Sequence, residues 1–127
     1  MYNRKHDLCF TIGKIGSIDF PAMKAECRAR HGELVRIDSK AKQHFMIFLT
    51  AGSNITSVCI QGTNLIDPQR RWTFDDGQNM TFFNWAKHWE PSQPDGDGGN
   101  IFVSDGHWHD VMDHSEIIHC ILVCEKR

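Results

Sequence analysis

The stretch RWTFDDGQNMTFFNW, residues 71–85, carries the pattern that decides the fold. Its two apolar pieces, RWTFDDG and TFFNW, interrupt a turn-rich region that runs from about residue 63 to residue 100. Turn signals such as Asp67-Pro68 and Asp76-Gly77 recur along this region. Connections of this length are unusual inside a compact domain and usually carry function. We therefore predict a long structured loop over residues 63–100 that holds the functional site.

Two helices are predicted on the N-terminal side of this loop. The first, within residues 18–32, has Asp19 as a capping residue and Gly32 as a terminator. The second lies within residues 38–52 and begins at Ser39. Its apolar positions recur at i, i+3 and i+4, which predicts a buried stripe. That stripe is predicted to hold Phe45, Phe48 and Leu49.

Strands are predicted before, between and after these helices, from short β-branched or alternating runs. The runs are DLCFTIG, ELVRI, SVCIQG, NIFVS, HWHDV and IIHCILVCEKR. Asp105-Gly106 predicts a tight hairpin between the fourth and fifth of them. The order of strand, two helices and further strands around a long loop predicts an α+β fold. The length of 127 residues predicts one domain, residues 1–127.

Composition excludes several classes of function. The net charge of −2 offers no electrostatic support for binding nucleic acid. No apolar run approaches the roughly 20 residues that cross a bilayer, so no membrane span is expected. The first residues lack the apolar core of a signal peptide. The chain is therefore interpreted either as a mature segment or as a cytosolic protein.

Cysteine spacing favours the first interpretation. Of the five cysteines, Cys120 and Cys124 lie on one predicted strand, about 13 Å apart. Two sulfurs that share a zinc ion lie within about 4 Å of each other, so these two cannot share one metal. Disulfides, and hence a secreted or extracellular protein, are therefore predicted. The odd number leaves one thiol free or paired between two chains.

Four segments together resemble the C-type lectin-like domain. They are residues 25–45, the CIQGTN…RWTFDDGQNMTFFNW core, DGHWHD beside the family's G-x-W-N-D, and the terminal CILVCEKR. The resemblance covers nearly the whole chain. It implies two helices flanking small antiparallel sheets, with a long loop that binds calcium and sugar. It also implies that Trp72, Trp85 and Trp108 are core residues.

The resemblance implies a Cys27–Cys124 disulfide between the first helix and the last strand. Positions of the family's second disulfide fall near residues 99–101 and 112–113, where this chain has no cysteine. Cys59 and Cys120 are therefore candidates for a substitute bridge. Cys9 is either the site of an intermolecular bridge in a homodimer or a free thiol.

WEPSQPDGDGGN, residues 89–100, occupies the place of the family's sugar-binding tripeptide. Glu90-Pro91-Ser92 resembles the mannose and glucose type, and Gln93-Pro94-Asp95 matches the galactose type. Glu90 lies 20 residues before Asp110 and 7 before Asp97, as the family's first tripeptide residue does. The spacing from Trp89 to Gln93 instead favours the second tripeptide. Glu90-Pro91-Ser92 is the favoured interpretation, and the other stays open.

The resemblance implies a calcium site in which the ion binds two sugar hydroxyls. Calcium takes 6 to 8 hard oxygen ligands. Ser92 replaces the usual Asn and is a weaker ligand, and His109 replaces the Asn of W-N-D with a poor calcium ligand. The expected ligands are Glu90, Ser92, Asp97 and Asp110, with Gln93, Asp95, Asn100 and His109 as alternates.

Trp89 and His107 are predicted to line the face that contacts the ligand. An exposed Trp can stack on the apolar face of a sugar, and histidine protonation near pH 6 is predicted to weaken binding. A zinc or copper site at His107, His109, Asp110 and His114 is the metal alternative.

The predicted function is calcium-dependent binding of terminal sugars on glycans, in innate recognition. Mannose, glucose or GlcNAc types are favoured slightly over galactose or GalNAc types. The alternative is a calcium-independent domain that binds protein, mineral or ice. No enzyme is predicted, since no set of nucleophile, base and orienting residue is apparent.

Overall fold

Two helices and seven strands are present in a computed structural model that describes residues 2–3, 8–50, 57–86, 99–104 and 106–126. The helices are α1 (Phe20–Ala29) and α2 (Lys40–Thr50). The strands are β1 (Tyr2–Asn3), β2 (Leu8–Asp19), β3 (Glu33–Leu34), β4 (Ser57–Ile60), β5 (Asn100–Ser104), β6 (His107–Val111) and β7 (His114–Lys126). The predicted α+β class is confirmed.

All seven strands belong to one mixed sheet. Its order is β1-β2-β7-β4-β5-β6, and β3 pairs with β7 away from this path. The pairing of β4 with β7 is parallel, while the other pairs are antiparallel. The resemblance implied small antiparallel sheets, and the parallel contact joins them into one. A parallel contact needs a long crossover, which here is supplied by the segment between β4 and β7.

The ends of α1 follow from local chemistry. The Asp19 carboxylate accepts a hydrogen bond from the Ala22 amide at 3.1 Å, which confirms the predicted cap. At the other end the Gly32 amide donates to the Cys27 carbonyl at 2.9 Å. A side chain at Gly32 would place its Cβ 2.6 Å from the Glu125 carbonyl oxygen. Glycine is therefore required where the chain leaves the helix and meets β7.

The buried face of α2 differs from the predicted one. Phe48 is 78% exposed, so its place in the predicted stripe is wrong. The Leu49 side chain lies outside the described residues, and Phe45 is only partly buried. The buried positions are Lys42, Gln43 and Met46. Two of these are polar, and an assignment from apolar spacing passes over polar residues whose partners lie far along the chain.

Two buried clusters cover the two faces of the sheet, because successive side chains of a strand point to opposite faces. On β7, Ile121 and Val123 belong to one cluster, and Leu122 belongs to the other. The first cluster contains Trp72, Trp85 and Trp108, which confirms the prediction that these three are core residues. The second packs against α1 and contains four cysteines.

The Cys27–Cys124 disulfide is present, with the two Cα atoms 5.4 Å apart, and it joins α1 to β7. Cys59 and Cys120 are buried free thiols, so the substitute bridge between them is not formed in this structure. The parallel register pairs Cys59 with Leu122, which leaves Cys120 on the diagonal. The two thiols are nevertheless close enough to hydrogen-bond, so they are reduced neighbours rather than separated residues.

The first part of the long loop, up to residue 86, is held by isolated bridges. Thr73 bridges both Thr63 and Asn79, and Trp85 bridges Trp108 on β6. Within the part of the chain that the structure describes, no helix is both long and apolar enough to cross a membrane.

Candidate functional site

The β5–β6 hairpin carries the predicted site residues that the structure describes. Asn100 begins β5, and His107, His109 and Asp110 lie on β6. The other predicted site residues lie outside the described residues. They are Trp89, Glu90, Ser92, Gln93, Asp95 and Asp97.

The described residues on either side of segment 87–98 both contact β6. On the N-terminal side, the Ala86 amide donates to the Trp108 carbonyl at 3.0 Å, and the Trp108 amide donates to the Asn84 carbonyl at 2.9 Å. On the C-terminal side the segment returns to Asn100, which is in register with Val111 of β6. Residues 84–86 and Asn100 therefore both lie beside β6.

Trp108 is a rigid centre for this hairpin. Its side chain is fully buried, and its indole N–H donates to the Gln43 side chain of α2 at 2.8 Å. The side-chain nitrogens of Gln43 (Nε2) and Asn84 (Nδ2) both donate to the Gly106 carbonyl, at 3.0 and 2.6 Å. These bonds fix the hairpin turn to α2 and to the end of the described loop. Asp110 follows two residues later on the same strand, in register with Ile101 of β5.

His109 packs against a neighbouring ring. The imidazole stacks on Phe102, its partner in the β5–β6 register, with ring centroids 5.1 Å apart and an angle of 20° between the planes. Burial lowers the pKa of His109, and the nearby His107 lowers it further, while Asp110 acts in the opposite direction. Burial and His107 therefore favour the neutral form of the His109 imidazole. Its nitrogen is a poor calcium ligand. His107 is exposed on the same face of β6.

Asn100 is 3% exposed, and its side-chain nitrogen donates to an Asp113 carboxylate oxygen at 2.7 Å. Its nitrogen therefore has a partner on the segment that joins β6 to β7. Sequence reasoning did not select Asp113. The available signal was that residues 99–101 and 112–113 match the positions of a family disulfide without holding cysteines, which indicated that these two segments lie together.

The oxygens near this edge suit calcium better than a transition metal. Asp110 offers a carboxylate and Asn100 an amide oxygen, which are hard ligands. Glu90 and Asp97, the other two carboxylates of the expected ligand set, lie outside the described residues. Among the described residues, which include His107, His109, Asp110 and His114, no group of three or more His, Cys, Asp or Glu side chains is arranged to hold a metal ion. The structure therefore does not bring these four residues together as a zinc or copper site.

A match to a family model decides the classification. Residues 17–126 match the model of the lectin C-type domain. The chain belongs to the C-type lectin domain family. The match begins within β2 and ends at the last residue of β7, so it includes both helices and the β5–β6 hairpin.

One curated relative and two solved structures illustrate the range of this family. A hepatic lectin of Gallus gallus is 33% identical over 106 residues, which are 81% of this chain and 47% of the relative. The chain therefore spans about half the length of that relative. The cow carbohydrate-recognition domain of CD23, crystallised in the presence of a GlcNAc2Man3 oligosaccharide, is 25% identical with a TM-score of 0.71, over 94% of this chain and 87% of that one. Herring type II antifreeze protein is 22% identical with a TM-score of 0.74, over 99% and 93% of the two chains. The likeness to the herring protein shows the fold alone.

Proposed function

We propose that this C-type lectin domain binds terminal sugars on glycans in a calcium-dependent manner. The observation that carries the proposal is the position of Asp110 on β6, the strand that contacts the described residues on either side of segment 87–98. Glu90 and Asp97 belong to segment 87–98, and we propose that they join Asp110 at this site. The hepatic lectin relative and the bovine structure crystallised with an oligosaccharide support a carbohydrate ligand.

Glu90, Ser92, Asp97 and Asp110 would hold the ion, with Asn100 as an alternate ligand. A bound calcium ion supplies open coordination positions for two neighbouring sugar hydroxyls. The carboxylates of Glu90 and Asp97 accept hydrogen bonds from those same hydroxyls, which are charge-assisted and therefore strong. His109 does not join this set, because its ring stacks on Phe102.

Glu90-Pro91-Ser92 is the proposed tripeptide, and mannose, glucose or GlcNAc is the proposed class of sugar. The distances in sequence from Glu90 to Asp97 and Asp110 support this choice. Trp89 and His107 are proposed to flank the sugar. Gln93 and Asp95, as part of the galactose-type tripeptide, form the competing assignment.

Sugar columns with matched acid variants test the proposal. The wild-type protein is expected to bind mannose resin in calcium and to elute with EDTA. Glu90→Gln should abolish retention, while Asp95→Ala should retain it. Glu116→Gln, which neutralises an exposed acid on β7, is the control and should bind as the wild type does. Loss of binding with Asp95→Ala alone would show that Gln93-Pro94-Asp95 is the working tripeptide.

A calcium-independent domain that binds protein, mineral or ice is the second candidate. His109 stands where the family has an asparagine, and its ring stacks on Phe102. The loss of that asparagine weakens the calcium site and so favours this second candidate. Retention that is unchanged by EDTA would favour this candidate over the first.

The biological setting is proposed from the same features. We propose a single domain over residues 1–127, non-enzymatic, secreted, and acting in innate recognition. Cys9 lies in β2 and is proposed to join two chains. Gel mobility with and without reductant tests the dimer, and Cys9→Ser should remove any species that reductant removes.

A further inference from the structure

We propose that Asn79 is a site of N-linked glycosylation. Asn79, Met80 and Thr81 form the acceptor sequence Asn-x-Ser/Thr, in which the middle residue is not proline. The site lies on the part of the long loop that the structure describes, and it shares no residue with the proposed calcium site. The inference rests on the proposed secretion, because this sequence is modified in secreted proteins. It does not depend on sugar binding.

Burial alternates across the acceptor sequence. Asn79 and Thr81 are exposed, whereas Met80 between them is only 6% exposed and belongs to the core. The main chain here is held by the Asn79–Thr73 bridge and by a 3.1 Å hydrogen bond from the Met80 amide to the Trp72 carbonyl. Successive side chains of an extended segment point to opposite sides. The packing of Met80 therefore turns both residues that the acceptor sequence requires toward solvent.

The turn before Asn79 leaves room for a bulky group. Residues 75–78 are exposed, and the Phe74 amide and carbonyl form 2.9 Å hydrogen bonds with the Gln78 carbonyl and the Gly77 amide. Gly77 has a φ of 89°, and a Cβ built there would meet no heavy atom within 4 Å apart from its neighbours in the chain. An attached oligosaccharide is large and hydrophilic and needs a surface position. This turn offers such a position.

Ion pairs hold the same turn against the body of the protein. Asp75 pairs with Lys24 of α1 at 3.1 Å, and Asp76 pairs with Arg36 at 3.2 Å. Neither pair uses the Asn79 side chain, so an oligosaccharide on Asn79 would leave both of them intact. The modified protein is therefore expected to keep the same fold.

The exposure of its reactive nitrogen separates Asn79 from other asparagines. Asn64 is fully buried. The Nδ2 atoms of Asn84 and Asn100 donate hydrogen bonds within the protein, at 2.6 and 2.7 Å. The Asn79 side chain forms none of the side-chain hydrogen bonds found among the described residues. Of these four residues, Asn79 presents its Nδ2 atom to solvent.

The modification transfers an oligosaccharide from a lipid-linked diphosphate donor to Asn79. A bond forms between Asn79 Nδ2 and C1 of the first sugar, while the bond from C1 to the diphosphate oxygen breaks. The lipid diphosphate leaves with the electron pair of that bond, and Nδ2 loses one proton to a base. The Thr81 hydroxyl is not consumed, because it serves only recognition. Serine should therefore replace Thr81, and alanine should not.

Mass spectrometry of the full chain, expressed behind a cleavable signal peptide in cultured eukaryotic cells, tests the site. Peptide N-glycosidase should lower the mass of the protein and convert Asn79 to aspartate in the tryptic peptide 72–87. Asn79→Gln and Thr81→Ala should each remove the glycan, whereas Thr81→Ser should keep it. A second acceptor sequence at residues 54–56 lies outside the described residues, so every protein compared carries Asn54→Gln.

Two controls make the outcome decisive. Gln78→Ala changes the exposed neighbour of Asn79 and should keep the glycan. Asn79→Gln should have the same Tm as the enzymatically deglycosylated protein, which shows that loss of the glycan does not reflect misfolding. Protein retained in the cells is analysed in the same way as protein in the medium.

An unmodified Asn79 in protein from the secretory pathway would overturn the proposal, and so would a glycan that persists in Thr81→Ala. A glycosylated protein that does not bind mannose resin would refute the proposed sugar binding and leave this site established. An unmodified protein that binds the resin would do the reverse.

Discussion

Lys42→Met is expected to destabilise the fold strongly, although Lys42 lies on a surface helix. The Lys42 ammonium lies 3.1 and 3.2 Å from the two carboxylate oxygens of Glu125. The two side chains are 2% and 0% exposed. The Arg36 amide also donates to the Glu125 carboxylate. Methionine keeps most of the aliphatic length and removes the charge, so the variant tests the ion pair rather than the packing.

The expected loss follows from the burial of both charges. Removal of one partner of a buried ion pair costs about 3–5 kcal/mol, because the other charge stays buried without compensation. At roughly 4 °C per kcal/mol for a domain of this size, the Tm should fall by about 12–20 °C. The double variant Lys42→Met/Glu125→Gln removes both charges and keeps an oxygen for the Arg36 amide. It should therefore recover most of the lost free energy of unfolding.

Urea denaturation monitored by tryptophan fluorescence measures these differences. Lys24→Met is the matched control, because Lys24 forms a 3.1 Å ion pair with Asp75 in which the side chains are 24% and 37% exposed. Exposed pairs contribute less than about 1 kcal/mol. If Lys42→Met costs no more than Lys24→Met, the pair is hydrated in solution and the reasoning from burial is wrong.

Three further predictions concern the cysteines and His109. The double variant Cys27→Ala/Cys124→Ala should lose about 4–5 kcal/mol of unfolding free energy by denaturant titration, since this bridge closes a loop of 97 residues. Burial raises the pKa of the Cys59 thiol, and Cys120 raises it further, so both should resist iodoacetamide at pH 8 until the protein unfolds, as mass spectrometry would report. Folding lowers the pKa of His109 below its ordinary value of 6.5. The contribution of His109 to the free energy of unfolding is therefore fully present above pH 6.5. It is lost as the pH falls through the folded-state pKa. NMR titration should place the His109 midpoint below 6.5, and a midpoint above 6.5 would contradict the burial of its ring.

Features controlled by neighbours in sequence were predictable. The Asp19 cap depends on an amide three residues away, and the end of α1 depends on a nearby glycine. The α+β class followed from the order of helical and strand patterns. The three core tryptophans followed from the family resemblance, which also implied the disulfide from Cys27.

Features controlled by distant partners were not predictable from local patterns. Phe48 has the right spacing for a buried position, yet the face of α2 turned to the core holds Lys42 and Gln43. A polar side chain is buried only when a partner satisfies it, and these partners are Glu125 and Trp108, more than 60 residues along the chain. Apolar periodicity does not record such partners, so it placed Phe48 in the buried stripe and missed Lys42 and Gln43.

The sequence by itself determined the family, the class of fold and the acids available for a calcium site, because residue types and their spacing are written in the chain. Tertiary structure decided which of those residues meet. It stacked His109 on Phe102 and paired Asn100 with Asp113, and it placed residues 84–86 and Asn100 beside the strand that carries Asp110. The physical reason is that strand register and burial depend on the packing of the whole sheet.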